Sequence, residues 1–425
     1  MLDSAAPLTE IGYVNGRGTD WQQWDEDERV PELQWPQSVH TFSRMLKEDG
    51  RVSSVLQAIG LPIRRTVWRI DPNGASDEVV EFVAENLGLP ITGVEVTSRP
   101  RSRGRFSWAE HLQTALLMLP YGHSYFEQIY RFDDDGKFRL RKLAPRPQKS
   151  IMRIKVALDG GLVSIEQSAP ADSGGAGGWG ITPHEIGVSR LVAYVRDPEP
   201  GIWTGSSLLR PAYKHWILKD ELMRVQAVAA KRNGLGMPVG TAASDDPDEV
   251  KRMKDLATAS RGGMQSGVGL AKDEKFEYKG VTGTVLDMGA AIDYHDKQIA
   301  LAGLAHFLNL DRGGSYALAS VQADTFVQSV QTFAESIADV ANSHIVEDLV
   351  DINFGKDVPA PRIVFDEIGS RQDATATSLS QLVQAGLLDP DEVVKILVRQ
   401  SLGIPTQPQP DPESAPTPAT EDVAA

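Results

Sequence analysis

The chain has 425 residues, enough for two or three domains, each with its own core. It contains no cysteine, which excludes a disulfide framework, a thiolate nucleophile and a cysteine-based zinc site. Asp and Glu number 58 against 43 Lys and Arg, and the resulting charge of −15 excludes a generally adhesive nucleic-acid coat, so any DNA contact must be local or weak.

The opening MLDSAAPLTEIGYVNG lacks the basic and apolar regions of a secretory signal, so export is not expected. Residues 1–36 are polar, and DWQQWDEDERVPELQW joins an acidic run to Trp21, Trp24 and Trp35. This reads as a solvated arm with aromatic anchors, with a neighbouring subunit as the alternative partner. From Val52 the pattern is mixed: VSSVLQAIGLPIRRTVWRI passes from helical spacing to alternation, and SDEVVEFVAENLG is a short amphipathic helix with Ser76 as N-cap and Gly88 as C-cap. FSWAEHLQTALLMLPYG is a further helix. SYFEQIYRFDDDGKFRLRKLAPRP has a hairpin signature around Asp134, Asp135 and Gly136. The DDDG run lacks the spaced ligands and distal Glu of a calcium loop and reads as a turn. Nine basic and three acidic residues lie between Arg131 and Lys155; they could touch phosphate, but alternation in strands more often marks one solvated face.

SAPADSGGAGGWG is a flexible surface loop, and HEIGVSRLVAYVRDPEPGIWTGSS holds a strand followed by a Pro and Gly turn. A long helix is predicted from about Ser206 to Arg232, with Leu209, Tyr213, Trp216, Leu222, Val225 and Val228 largely on one side, ending at NGLGMP. Residues 235–285 form an insert: a helix that Asp246, Pro247 and Glu249 can start, then an alternating strand in VGLAKDEKFEYKGVTG. So small a unit gains stability by packing against copies of itself. A returning helix is predicted over about Leu286 to Leu308, then the glycine-bearing FLNLDRGGSYALAS, then a helix from about Val321 to Ile352. Its seam of Phe326, Val330, Phe333, Ile337 and Val340 resumes, past a five-residue step, at Ile345, Leu349 and Ile352. At 1.5 Å per residue this helix spans about 48 Å, more than a small domain needs. DATATSLSQLVQAGLLDPDEVVKILVRQSLGIP reads as two short helices, and the Pro-rich acidic end as disordered. The most apolar helical stretches carry charges or His and fall short of a membrane span, so none is expected.

Catalysis finds little support. There is no GxSxG, Walker A, HExxH or dinucleotide fingerprint, and the eight histidines have no ligand spacing. Asp293 and Asp296, with His295 between them, could hold a metal only if another segment converged; a solvated polar stripe is the plainer reading. Neither a cofactor nor a metal is expected. From Leu286 to Ile352 ten acidic residues face only Lys297 and Arg312, and a surface that passes DNA without gripping it would have this bias.

The order of these parts resembles the portal proteins of tailed bacteriophages, in particular the Mu-like portals. GIWTGSSLLRPAYKHWILKD resembles that family's Gly turn, LLRP and long helix; KRNGLGMPVG its helix exit; GSYALASVQADTF and VEDLVDINFG the segments before and at the end of its long helix. The resemblance runs from about Arg51 to Pro405. It implies an α+β portal fold assembled as a ring. Behind the arm (1–36) would come the wing (37–205, with long helix 321–356), stem helices 206–233 and 286–309, and the clip (234–285). A tunnel loop (310–320), a helical crown (357–404) and a disordered tail (405–425) would complete it.

On this resemblance Asn309, Asp311, Arg312, Gly313, Gly314, Ser315 and Tyr316 would meet DNA in the channel. Asp293, Asp296 and Lys297 would face the lumen, and Asp248, Lys251, Arg252, Lys254 and Arg261 would face motor and adaptor. The expected role is structural and not enzymatic: a dodecameric channel at the capsid portal vertex of the virion, assembled in the host bacterial cytoplasm. Its partners would be the major capsid protein, the terminase large subunit, the head-to-tail adaptor and double-stranded DNA without sequence preference, with no membrane. The alternatives are another connector or scaffold protein and, more remotely, a metal-dependent nuclease using Asp293 and Asp296.

Overall fold

The computed structural model describes residues 10, 12–14, 28–94, 106–168, 183–235, 237–259, 269–279, 287–303 and 316–369. Leu33 and Trp35 are buried ahead of α1 (Gln37–Glu48), so the third Trp of the polar arm is an anchor and the packed body begins before residue 37. α2 (Gly50–Arg65) starts at Asp49, whose carboxylate accepts the Arg51 and Val52 amides at 2.8 and 3.3 Å. β1 (Trp68–Asp71) follows, then α3 (Asp77–Leu87), which stops where Gly88 turns left-handed at φ +65°. α4 (Trp108–Ala115) and the single turn α5 (Met118–Tyr121) lead to the expected hairpin of β2 (His123–Phe132) and β3 (Phe138–Arg146).

β4 (Ile151–Val156), β5 (Leu162–Gln167) and β6 (His184–Gly187) form one antiparallel sheet. β7 (Leu191–Val195) crosses to the free edge of β2, giving a second sheet in the order β3-β2-β7. α6 (Tyr213–Leu235) begins seven residues later than the spacing predicts, because Pro211 disfavours helical backbone at Arg210 and the chain turns there instead. β8 (Met237–Thr241), α7 (Pro247–Ala259) and β9 (Lys275–Lys279) build the insert, with β8 and β9 paired antiparallel. Glu249 meets the Ser244 hydroxyl at 2.8 Å and does not close a capping box on Asp246.

α8 (Met288–Ala302) returns along α6, its N-terminus capped by the Asp287 carboxylate on Gly289 and Ala290. α9 (Tyr316–Ala341) starts five residues before the expected Val321, since YALAS holds good helix formers and no breaker. A π-helical turn over Asn342–Val346 and α10 (Glu347–Phe354) continue it. The five-residue step of the seam falls on this turn, where i→i+5 bonding absorbs the extra residue. Ile345 within the turn and Leu349 beyond it are buried, while Ile352 is exposed and ends the seam.

The segment from 357 was expected to open the helical crown. Its described part instead carries β10 (Arg362–Phe365), antiparallel to β1 with Ile70 opposite Ile363. The Asn342 amide secures it, accepting from Ile363 N at 2.7 Å and donating to Ile363 O at 3.2 Å. The two short crown helices fall within 370–404, outside the described residues. The largest core joins α2, α3, α4, α9 and α10 to both sheets containing β1 and β2; smaller ones lie under β4-β5-β6 and between α1, α6 and α8.

Candidate functional site

Residues 203–208, which carry the chain from the body into α6, are held at close quarters. Gly122 and Gly205 touch backbone to backbone, both at positive φ (+88° and +64°), and a Cβ on Gly205 would collide with the Gly122 carbonyl. His123 Nδ1 lies 2.8 Å from Thr204 O, which only accepts, so that nitrogen carries the proton. Tyr125 donates to Trp203 O at 2.5 Å, and Leu208 N to Leu119 O at 2.9 Å. Burial lowers His123 to about 4, so the ring stays neutral.

In the second turn of α6, Lys219 is 9% exposed and joins three helices. Its ammonium donates to Asp49 Oδ1 and Oδ2 at 3.1 and 3.0 Å and lies 2.6 Å from Asp296 Oδ1. Burial opposes the charge, but the two carboxylates outweigh it and raise the Lys219 pKa. Asp49 therefore caps α2 and anchors α6 together, while Asp296 ties α8 into the same knot. Above it, His215 Nδ1 faces His295 Nδ1 across the α6–α8 interface at 3.0 Å. None of Lys219, Asp49 or His215 stood out in the sequence, because nothing local tells that residues 49, 219 and 296 meet; the Asp at an N-cap position ahead of α2 was the one available signal.

The expected site residues separate into groups. Asp296 points to Lys219 between the helices, and Asp293 is exposed on α8; they do not turn to a common centre. Lys297 is half-buried. Tyr316 opens α9 and so belongs to a helix where a loop residue was expected. Asn309, Asp311, Arg312, Gly313, Gly314 and Ser315 lie outside the described residues, as does Arg261.

Asp248, Lys251, Arg252 and Lys254 are exposed on α7, whose Met253 packs on Gly240 of β8 and is the helix's buried residue. Arg252 is held by the buried carboxylate of Glu274, so it is less free than its neighbours to meet a partner.

Charge is distributed unequally. Most of the basic excess on β3 and β4 is matched by nearby carboxylates: Arg139 by Glu85 and Asp135, Arg146 by Glu127, and Lys155 by Glu166 and Glu185. Asp293, Asp324, Glu335, Asp339 and Glu347 on α8, α9 and α10 are exposed and form no ion pair among the described residues. α6 is also unusual in leaving Ile217, Leu218, Met223, Val225 and Val228 exposed. No helix among the described residues is long and apolar enough to cross a membrane, and no group of three His, Asp or Glu there could hold a metal ion.

A sequence model of a family described as the portal protein of Mu bacteriophage matches residues 39–404. The fold is similar to a chain in the virion of a native gene transfer agent particle, with TM-score 0.53 and 13% identity over 88% of this chain and 95% of that one. It is similar to a chain in the neck of the native particle computed with C12 symmetry, with TM-score 0.52 and 12% identity over the same shares. A portal protein of the HK97 phage family from Corynebacterium diphtheriae matches with TM-score 0.44 and 15% identity over 76% of this chain and 95% of that one.

Proposed function

The chain belongs to the Mu bacteriophage portal protein family, a structural virion component and not an enzyme, and we propose that it forms the ring-shaped channel through which double-stranded DNA enters and leaves the capsid. α6 and α8 would be the stem, β8-α7-β9 the clip, and the body built around α9 the wing facing the major capsid protein. The observation that carries this reading is α6: a helix with buried residues at its base and exposed Ile217, Leu218, Met223, Val225 and Val228 beyond requires neighbours, and a closed ring supplies them on both sides. The C12 symmetry described for the gene transfer agent neck supports twelve copies.

The mechanism is electrostatic and mechanical. Unpaired carboxylates along the returning helices repel phosphate, so a duplex gains no counterion-release energy from the wall and slides. Arg312, Asp311 and Asn309, between the stem and α9, make brief contacts with it. Force comes from outside, since the sequence carries no Walker A motif; the terminase large subunit docks on the clip during packaging and the head-to-tail adaptor replaces it.

Electron microscopy of the purified chain, averaged down the particle axis, tests the proposal. Rings with a channel wide enough for a duplex are expected, and solid particles without a channel overturn it.

A further inference from the structure

His215 and His295 do not fit the stabilising pattern around them. Buried His123 donates from Nδ1 to a backbone carbonyl, and His111 Nε2 shares a hydrogen bond with the Tyr194 hydroxyl at 2.8 Å. His215 and His295 instead turn the same nitrogen to each other, 3.0 Å apart, with their rings inclined at 46°. Both rings are half-buried and reachable by water. They come from different helices, and the ion pairs of Lys219 with Asp296 and Asp49, one turn along α6 and one residue along α8, fix the register that brings them together.

We infer that His215 and His295 form a two-imidazole site for a first-row divalent transition metal, Cu2+ or Ni2+ by preference, that clasps α6 to α8. Two nitrogens 3.0 Å apart, each about 2.0–2.1 Å from a metal, subtend about 91–97° at it, the angle of neighbouring positions in a square-planar or octahedral site. A tetrahedral Zn2+ site would need the nitrogens about 3.3 Å apart at the same bond length. Water fills the remaining positions, since no third His, Asp or Glu among the described residues completes the set. The ammonium of neighbouring Lys214 repels a cation, which holds the site to modest affinity. The exposed Tyr294 ring, 6.2 Å from His215 and 5.3 Å from His295, flanks the pair.

The test is a titration of the untagged, chelator-treated full chain with Cu2+ at pH 7.5, followed by electron paramagnetic resonance. One Cu2+ per chain with hyperfine coupling to two imidazole nitrogens is expected. His215→Asn and His295→Asn should each weaken binding at least tenfold, whereas His184→Asn, exposed on β6, should leave it unchanged. Circular dichroism of the variants verifies that they fold. Absence of two-nitrogen coupling, or binding that survives both substitutions, overturns the site and leaves the pair as a hydrogen bond only.

Discussion

The body around α9, which we propose as the wing, and α6, the proposed stem, use apolar residues in opposite ways. In α9 Val330, Ala334, Ile337 and Ala341 are buried in a core made entirely by the same chain, whereas in α6 Met223, Val225 and Val228 are exposed in the single chain. Both helices are long, but α6 mixes its apolar side chains with seven Lys, Arg, Asp and Glu residues, whereas α9 has three. The difference is that the body around α9 buries its hydrophobic surface within the chain, while α6 and the β8-α7-β9 insert leave theirs exposed, as the proposed ring requires. The β8-α7-β9 insert extends the contrast, with Met253 buried and Val250, Leu270 and Tyr278 exposed around one two-stranded sheet.

The comparison breaks first in the wing core. Ile337→Ala should destabilise the chain by about 2–5 kcal/mol in urea unfolding, because the cavity has no neighbouring copy to fill it. Lys219→Met probes the junction: it leaves the Asp49 and Asp296 carboxylates facing each other without a cation, at about 3 kcal/mol. Lys219→Arg should recover part of that loss in the same assay.

Acid should loosen the core around α4 and β2. His111 and His123 are fully buried, and burial lowers them from 6.5 to about 3 and about 4. The unfolded chain therefore takes up protons first, so their stabilisation is complete above pH 6.5. It is lost as pH falls, down to about 4 for His123 and about 3 for His111. A loss of about 1 kcal/mol per pH unit for each ring is expected in urea unfolding between pH 7 and 5, with His111→Gln reducing the slope. The smallest effect on the single chain is expected on the exposed side of α6. Val225→Ser with Val228→Ser should change monomer stability by less than about 0.5 kcal/mol yet lower the fraction of rings in sedimentation and electron microscopy. An equal loss of monomer stability would remove the distinction between the two regions.

Much of the local structure is legible from the sequence. Ser76 and Gly88 bound α3, Asp134 to Gly136 turn the hairpin, and Pro247 opens α7. The five-residue step from Val340 to Ile345 marks the π-helical turn. Those features rest on backbone preferences within a few residues. The start of α6 was misplaced although Pro211 signals it, because the apolar spacing continues through Leu208 and Leu209 into a turn. β10 was missed because its partner, β1, lies almost three hundred residues earlier, and four residues of alternation do not name a partner.

The sequence by itself determined the resemblance to the portal family, the order of mixed α/β body, long helix, insert and returning helix, and the helix ends that caps and glycines mark. Periodicity and capping act within one turn or strand, so they survive being read along a line. Only the tertiary structure decided that Lys219 gathers Asp49 and Asp296, that His215 faces His295, and that Arg146 and Lys155 are neutralised by carboxylates of neighbouring strands. Those pairings depend on distance in space between residues far apart in the chain, and charge counts along the sequence do not contain that distance.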